Sequence, residues 1–205
     1  MPRFGVPPRG ETLARTWVGN GVERLVERAL TGGLDVPAEP GLVREASRVF
    51  LDLYSRHGRE RSRVYPGVHE GLAALRAHRA LLACITNKPH GPAVKLLAHF
   101  GLLGFFELVI GGDSLPRRKP DPLPLLHACS ELGVTVKESL FVGDSTNDVQ
   151  AARSAGMRVA CVSYGYNHGR DISEAAPDAV VDSLAALAPL CFGAAHEPEC
   201  GAVGH

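Results

Sequence analysis

The stretch that most constrains this chain runs from Leu140 to Asp148 and reads Leu-Phe-Val-Gly-Asp-Ser-Thr-Asn-Asp. It begins as a short apolar run of strand type, breaks at Gly143 and continues into a helical pattern. In an open α/β sheet, ligands bind outside the carboxyl ends of the strands, where Asp144 would lie. Asp144 and Asp148 supply the oxygen ligands that Mg²⁺ prefers, so the stretch predicts a magnesium site. A second interpretation stays open, in which Asp144 or Ser145 only caps the helix.

Composition places the chain among ordinary globular proteins. Its 205 residues suffice for one domain with an insert, and 45% of them are hydrophobic and 21% charged. The formal net charge is zero, so we predict no basic surface and no nucleic-acid partner. No apolar run reaches the roughly 20 residues that span a membrane, and the N-terminus has no signal-peptide core. We therefore expect a cytoplasmic protein without membrane contact; the oligomeric state is not predictable from these features.

The cysteines predict a reducing compartment. There are five, an odd number, and none forms a Cys-x-x-Cys pair. This spacing favours neither a disulfide framework nor a zinc site.

The first part of the chain has helical patterns and no strand signal. Residues 1–11 are rich in Pro, Gly and Arg and predict an irregular lead-in. Residues 12–62 carry amphipathic patterns, the clearest of them over 42–57, and predict a small, partial helical cap.

From residue 63 to residue 192 strand and helix patterns alternate, which predicts a doubly wound, mostly parallel α/β core. Continuous apolar runs of this kind suit strands that are buried on both faces. Residues 193–205 are expected to form a frayed tail. The predicted strands cover residues 81–86, 107–110, 139–142, 158–163 and 179–181.

Two further polar features follow predicted strands. Thr86 and Asn87 follow strand 81–86, and a hydroxyl and an amide there are able to hydrogen-bond phosphate oxygens. Because Asn and Pro89 also favour turns, a purely structural turn is the alternative. Lys119, held extended by Pro120, would supply a compact cation for a phosphoryl group. Its alternative is a solvated surface lysine.

The order of these three features resembles the haloacid dehalogenase superfamily. The motifs are Ile-Thr-Asn-Lys-Pro at 85–89, Lys-Pro-Asp-Pro at 119–122 and Phe-Val-Gly-Asp-Ser-x-Asn-Asp at 141–148. The chain resembles most closely the bacterial phosphoglycolate phosphatases, from about residue 16 to residue 190. The resemblance includes Trp-Val-Gly-Asn-Gly-Val at 17–22 and Ser-Tyr-Gly-Tyr-Asn-His-Gly at 163–169.

The resemblance implies a role for each matching residue. Thr86 and Lys119 would be the catalytic residues that bind the phosphoryl group, with Asn87 beside them. Asp144 would ligate Mg²⁺, and Asp148 would be a second ligand or a partner of the site. The cap would contribute a substrate-facing turn, Gly19-Asn20-Gly21, whose alternative explanation is a helix break that needs positive φ. The implied reaction hydrolyses a small phosphomonoester, 2-phosphoglycolate, to glycolate and phosphate through an aspartyl phosphate.

One family motif does not occur in these 205 residues. The motif is Asp-x-Asp-Gly-Thr, which supplies the nucleophile and the general acid and ends a central first strand; the first aspartate here is Asp35. Without that strand, segments 81–86 and 139–142 would face each other across a gap of one strand. Either they pair directly, another segment fills the gap, or the fold is compromised.

Three hypotheses follow from the missing motif. The chain is an N-terminally shortened phosphoglycolate phosphatase that is inactive as written. Alternatively, it is a non-catalytic phosphate and Mg²⁺ binder with a regulatory role. The third hypothesis is a phosphatase or mutase that acts on another small phosphomonoester.

Overall fold

The fold was analysed in a computed structural model that describes residues 4–58, 60 and 62–193. The N-terminal part forms three helices, α1 (Glu11–Arg15), α2 (Val22–Thr31) and α3 (Pro40–His57). Helix α3 begins where Glu39 accepts hydrogen bonds from the N–H groups of Gly41 and Leu42, and proline at its first position supports this start.

Helices α2 and α3 pack through a small apolar cluster of Val26, Leu30 and Ala46. Phe4 and Val6 of the lead-in pack against the same cluster. The lead-in therefore covers part of the apolar face of these helices.

Helices and strands alternate through the rest of the chain, and every strand pairing is parallel. This confirms the predicted α/β class. The elements are α4 (Val68–Ala77), β1 (Ala83–Ile85), α5 (His90–His99), β2 (Leu108–Ile110), α6 (Leu123–Leu132), β3 (Leu140–Gly143), α7 (Thr146–Ala155), β4 (Arg158–Val162), β5 (Ala179–Val181) and α8 (Leu187–Phe192).

The strands form two parallel groups, β1–β2 and β3–β4–β5. Of the alternatives for the missing strand, direct pairing of β1 with β3 is therefore wrong, and no strand within the described residues lies between them. We call the space between the unpaired edges of β1 and β3 the strand gap. Ile85 of β1 and Phe141 of β3 pack against one buried core cluster, so both groups share a single core.

The connection from β3 to α7 follows the predicted strand–turn–helix order. Ser145 is the N-cap of α7, and its N–H and hydroxyl donate to the Asp148 carboxylate. Gly156 ends the helix at φ 70°, a conformation that glycine adopts without steric cost. The capping interpretation thus holds for Ser145, while Asp144 remains outside the helix.

The cysteines within the described residues form no disulfide bonds. Cys84, Cys129, Cys161 and Cys191 are unpaired thiols. Cys200 and the rest of the expected tail from residue 194 lie outside the described residues. Among the described helices, none has the length and apolar character that a membrane crossing requires.

Candidate active site

Thr86 and Asn87 lie directly after β1. The Thr86 N–H donates to the Ile110 carbonyl (2.9 Å), and its Oγ1 accepts from the Lys88 N–H (3.1 Å). The Thr86 hydroxyl proton therefore remains available for a ligand. The Asn87 amide group donates to the Gly19 carbonyl (3.0 Å) and the Lys119 carbonyl (2.9 Å), so it ties the strand end to two other segments.

Lys119 is largely buried between the two strand groups. Its Nζ lies 2.8 Å from the Ile85 carbonyl oxygen and 2.8 Å from Asp148 Oδ1. Only 10% of the Lys119 side chain is exposed. The alternative of a solvated surface lysine therefore fails, because the ammonium group is held inside the site.

Asp148 is the acceptor at the centre of the site. Its Oδ2 accepts from the Asp144 N–H and from the N–H and hydroxyl of Ser145, while Oδ1 pairs with Lys119. Burial alone would raise the pKa of Asp148, but the Lys119 charge and these hydrogen bonds outweigh it and lower the pKa. Because both oxygens are committed to protein donors, the arrangement favours a partner role over direct metal ligation.

Asp144 has a different environment. Its Oδ2 accepts from the Tyr166 N–H at 3.0 Å. Burial and the neighbouring Asp148 charge raise the pKa of Asp144 to about 6. The sequence does not predict the Tyr166 contact, although Tyr166 lies within the motif at 163–169 that carries part of the resemblance. A carboxylate that is buried next to a second one is suited to a cation.

The turn at Gly19-Asn20-Gly21 sits against these strand ends. The Asn20 amide donates to Asn147 Oδ1 at 3.2 Å, and a Cβ on Gly21 would lie 2.7 Å from Arg118 Nη1. Gly19 and Gly21 also have φ of 135° and 88°. The turn therefore needs positive φ and also contacts residues of the site, while its contact with a substrate stays a prediction.

A model of the haloacid dehalogenase-like hydrolase family matches residues 35–162. The chain belongs to this family. It is 48% identical over 195 residues to a phosphoglycolate phosphatase of Nitrosococcus oceani, covering 95% of this chain and 87% of the relative. It is 51% identical over 189 residues to a phosphoglycolate phosphatase of Thiobacillus denitrificans, covering 92% and 83%.

Solved structures agree with this family membership. A crystal structure of a predicted phosphoglycolate phosphatase from Haemophilus somnus superposes with a TM-score of 0.85 at 36% identity, covering 92% of this chain and 85% of the other. The sequence-based resemblance and the predicted fold class are thus confirmed.

Asp144 is the described residue that is best placed to hold the Mg²⁺ ion that the family resemblance implies. Among residues 4–58, 60 and 62–193, no group of three or more His, Cys, Asp or Glu side chains is placed to hold a metal. Asp144 Oδ2 accepts from the Tyr166 N–H, and the largely buried Asp144 carboxylate, beside the charge of Asp148, fits as one ligand. The described residues therefore supply part of a magnesium site.

Gly165 allows the close approach of Asp144, and this predicts the effect of adding a side chain. A Cβ at residue 165 would lie 2.2 Å from Asp144 Oδ2, and φ there is 130°. We expect Gly165→Ala to lower the free energy of unfolding by about 2–3 kcal/mol, because the carboxylate must shift and the backbone is strained. Urea unfolding measures the change. The matched control is Gly101→Ala, at φ 66° with no atom within 4 Å, and an equal loss in both variants would contradict the role of close approach.

Proposed function

We propose that this protein is a phosphoglycolate phosphatase-type hydrolase and that the described site binds a small phosphomonoester, 2-phosphoglycolate. The observation that carries the proposal is the position of Lys119, which joins the end of β1 to the carboxylate of Asp148 at 2.8 Å on each side. The named relatives support the same reaction class.

The phosphate would bind between Thr86 and Lys119. The Thr86 hydroxyl has its proton available, and the Lys119 ammonium uses two of its three N–H donors on Ile85 and Asp148. One N–H of Lys119 is left for a phosphate oxygen, and its charge offsets charge that develops on the phosphoryl group. Asn87 would position both segments through its bonds to Gly19 and Lys119.

Asp144 would be the ligand to Mg²⁺, with Asp148 holding the Asp144 backbone in place. When bound, the ion would supply positive charge to the phosphate oxygens. The raised pKa of Asp144 supports this assignment, because a nearby cation relieves the burial of its charge.

Residues 12–62 would act as the cap over the core of residues 63–192. The contacts of Asn20 with Asn147 and of Gly19 with Asn87 support this division, since they set the cap turn over the strand ends. A cap in this position would exclude water and contact the carboxylate end of the substrate. Gly19, Asn20 and Gly21 are the proposed contacts.

These residues bind and neutralise phosphate, but hydrolysis through an aspartyl phosphate needs an unengaged carboxylate as nucleophile. In the described part of the chain, Asp148 is committed to Lys119 and Ser145, and Asp144 is the proposed ligand to Mg²⁺. We therefore expect the 205-residue polypeptide to bind 2-phosphoglycolate without turning it over.

The test combines calorimetry with a phosphate-release assay in Mg²⁺. We expect saturable 1:1 binding of 2-phosphoglycolate, at least about tenfold tighter than glycolate because the phosphate contacts are lost in glycolate. No release of phosphate above the protein-free rate is expected. Absence of saturable binding would contradict the site, and rapid release would contradict the account of the missing nucleophile.

A second candidate is a non-catalytic phosphate and Mg²⁺ binder. The observation that favours it is the complete engagement of Asp148 by protein donors. Such a binder needs no contact with the glycolate part, so inorganic phosphate would bind as tightly as 2-phosphoglycolate. A phosphatase or mutase for another phosphomonoester would instead prefer that ester in a panel of small phosphate esters.

A further inference from the structure

Arg117 and Arg118 precede Lys119 in the chain, but the structure gives the two arginines different environments. The Arg117 side chain is 72% exposed and pairs with Asp121 at 3.2 Å, as an ordinary surface ion pair does. Arg118 is half-buried. Among the described residues, none forms a hydrogen bond or an ion pair with its guanidinium group. The charge and the N–H donors of this group are therefore available to an anion from outside the chain.

The guanidinium group of Arg118 lies against the cap turn at Gly21. A Cβ at Gly21 would lie 2.7 Å from Nη1, 2.9 Å from Cζ and 3.4 Å from Nε, so the group packs directly on the glycine. A residue with a side chain at this position would displace the guanidinium group. The glycine therefore lets the cation lie against the same turn that carries Asn20, a proposed substrate contact.

Asn87 fixes this turn relative to the residues that would bind phosphate. Its amide group donates to the Gly19 carbonyl at 3.0 Å and to the Lys119 carbonyl at 2.9 Å. Asn87 also follows Thr86 directly in the chain. Arg118 is thus held near Thr86 and Lys119 from two sides, through its peptide bond to Lys119 and through the cap turn.

The other charges of the site leave the carboxylate of the proposed substrate without a cation. At neutral pH, 2-phosphoglycolate carries about two negative charges on its phosphate and about one on its carboxylate. The Lys119 charge is already offset by Asp148, at 2.8 Å, and a Mg²⁺ ion on Asp144 would face the phosphate oxygens. The substrate carboxylate therefore needs a further cation, and the guanidinium group at the cap turn supplies one.

We propose that Arg118 binds the carboxylate of the substrate and makes the site selective for phosphate esters of short 2-hydroxy acids. This inference rests on the proposed phosphomonoester function. In such esters a single carbon atom separates the ester oxygen from the carboxylate, so the group that binds the carboxylate must lie beside the phosphate-binding residues. A guanidinium group donates two parallel N–H bonds to a carboxylate, which an ammonium group does not. Arg118 sets specificity and takes no part in phosphoryl transfer.

Calorimetric titration of two esters separates a carboxylate contact from a structural role of Arg118. Ethyl phosphate differs from 2-phosphoglycolate in having a methyl group in place of the carboxylate. In Mg²⁺, we expect the original chain to bind 2-phosphoglycolate at least about tenfold more tightly than ethyl phosphate. Arg118→Met should weaken binding of 2-phosphoglycolate at least about tenfold and change binding of ethyl phosphate less than about twofold. Arg118→Lys should restore only part of the preference, because lysine keeps the charge but not the paired donors.

Arg117→Met is the matched control, because it removes the neighbouring arginine, which pairs with Asp121. It should leave the affinity for both esters unchanged. An unchanged preference in Arg118→Met would overturn the inference, and so would equal losses for the two esters, which indicate a general effect of charge or fold. Equal affinity of the original chain for both esters would also overturn it, and this comparison uses the unaltered protein. Absence of binding by either ester would overturn the phosphomonoester site and this inference together.

Discussion

Replacing Lys119 with methionine is expected to lower the free energy of unfolding by about 3–5 kcal/mol, because it leaves a buried carboxylate without its cation. The Lys119 and Asp148 side chains are only 10% and 5% exposed, and their charged atoms are 2.8 Å apart. Urea unfolding at neutral pH measures the loss. The double variant Lys119→Met with Asp148→Asn should recover part of it, since the buried charge is removed as well.

The control for this result is Lys88→Met. Lys88 donates to the Tyr54 hydroxyl and lies 4.3 Å from the centre of that ring, so it has no buried anionic partner in the described structure. We expect a loss of about 1–2 kcal/mol from this hydrogen bond between an ammonium group and an uncharged hydroxyl. Similar losses in the two variants would contradict the assignment of Lys119 and Asp148 as the buried ion pair.

Asp144→Asn should stabilise the metal-free protein at pH 8 by about 2 kcal/mol and leave it nearly unchanged at pH 4. The pKa of Asp144 is raised from 3.8 to about 6 by burial and by Asp148. A raised carboxyl pKa means that the folded state holds the proton longer than the unfolded state. The stability that the protonated Asp144 contributes is therefore full below pH 4 and is lost as pH rises through about 6.

Unfolding in EDTA across pH 4–8 measures this effect as the difference between the variant and the original chain. The same series with Mg²⁺ should stabilise the original chain at pH 8 and have little effect on Asp144→Asn, since binding to the folded state shifts the equilibrium. Equal pH profiles for the two proteins would contradict the burial of an ionisable Asp144. An equal response to Mg²⁺ would contradict its role as a ligand.

The sequence predicted those features that depend on periodicity. Helix α3 (Pro40–His57) matches the pattern over 42–57, and β5 (Ala179–Val181) matches the predicted strand 179–181. The sequence also predicted the polar residues that follow β1 and β3, which are Thr86, Asn87 and Asp144. Each lies where an apolar run ends and a helical pattern begins, and this change of pattern is visible within a few residues. These local patterns were sufficient to identify the α/β class and the family resemblance.

Features that depend on distant contacts were not predictable in detail. Spacing placed Asp148 near Asp144, but it did not show that Lys119 and Ser145 use both Asp148 oxygens. The Tyr166 N–H that binds Asp144 has no side-chain signature, since any residue except proline offers a backbone donor. The separation of β1 from β3 likewise depends on which strands pair with each other. The residue pattern within one strand does not encode its pairing partner.

The most direct test of the phosphomonoester site is calorimetric titration of 2-phosphoglycolate, in Mg²⁺, into the original chain and into Thr86→Val. Valine keeps the shape of threonine but removes the hydroxyl proton that the site leaves available. We predict saturable binding to the original chain and binding at least about tenfold weaker to the variant, whose free energy of unfolding falls by only about 1 kcal/mol because Thr86 Oγ1 also accepts the Lys88 N–H. Equal affinity in both proteins, or no saturable binding to either, would contradict the proposed site.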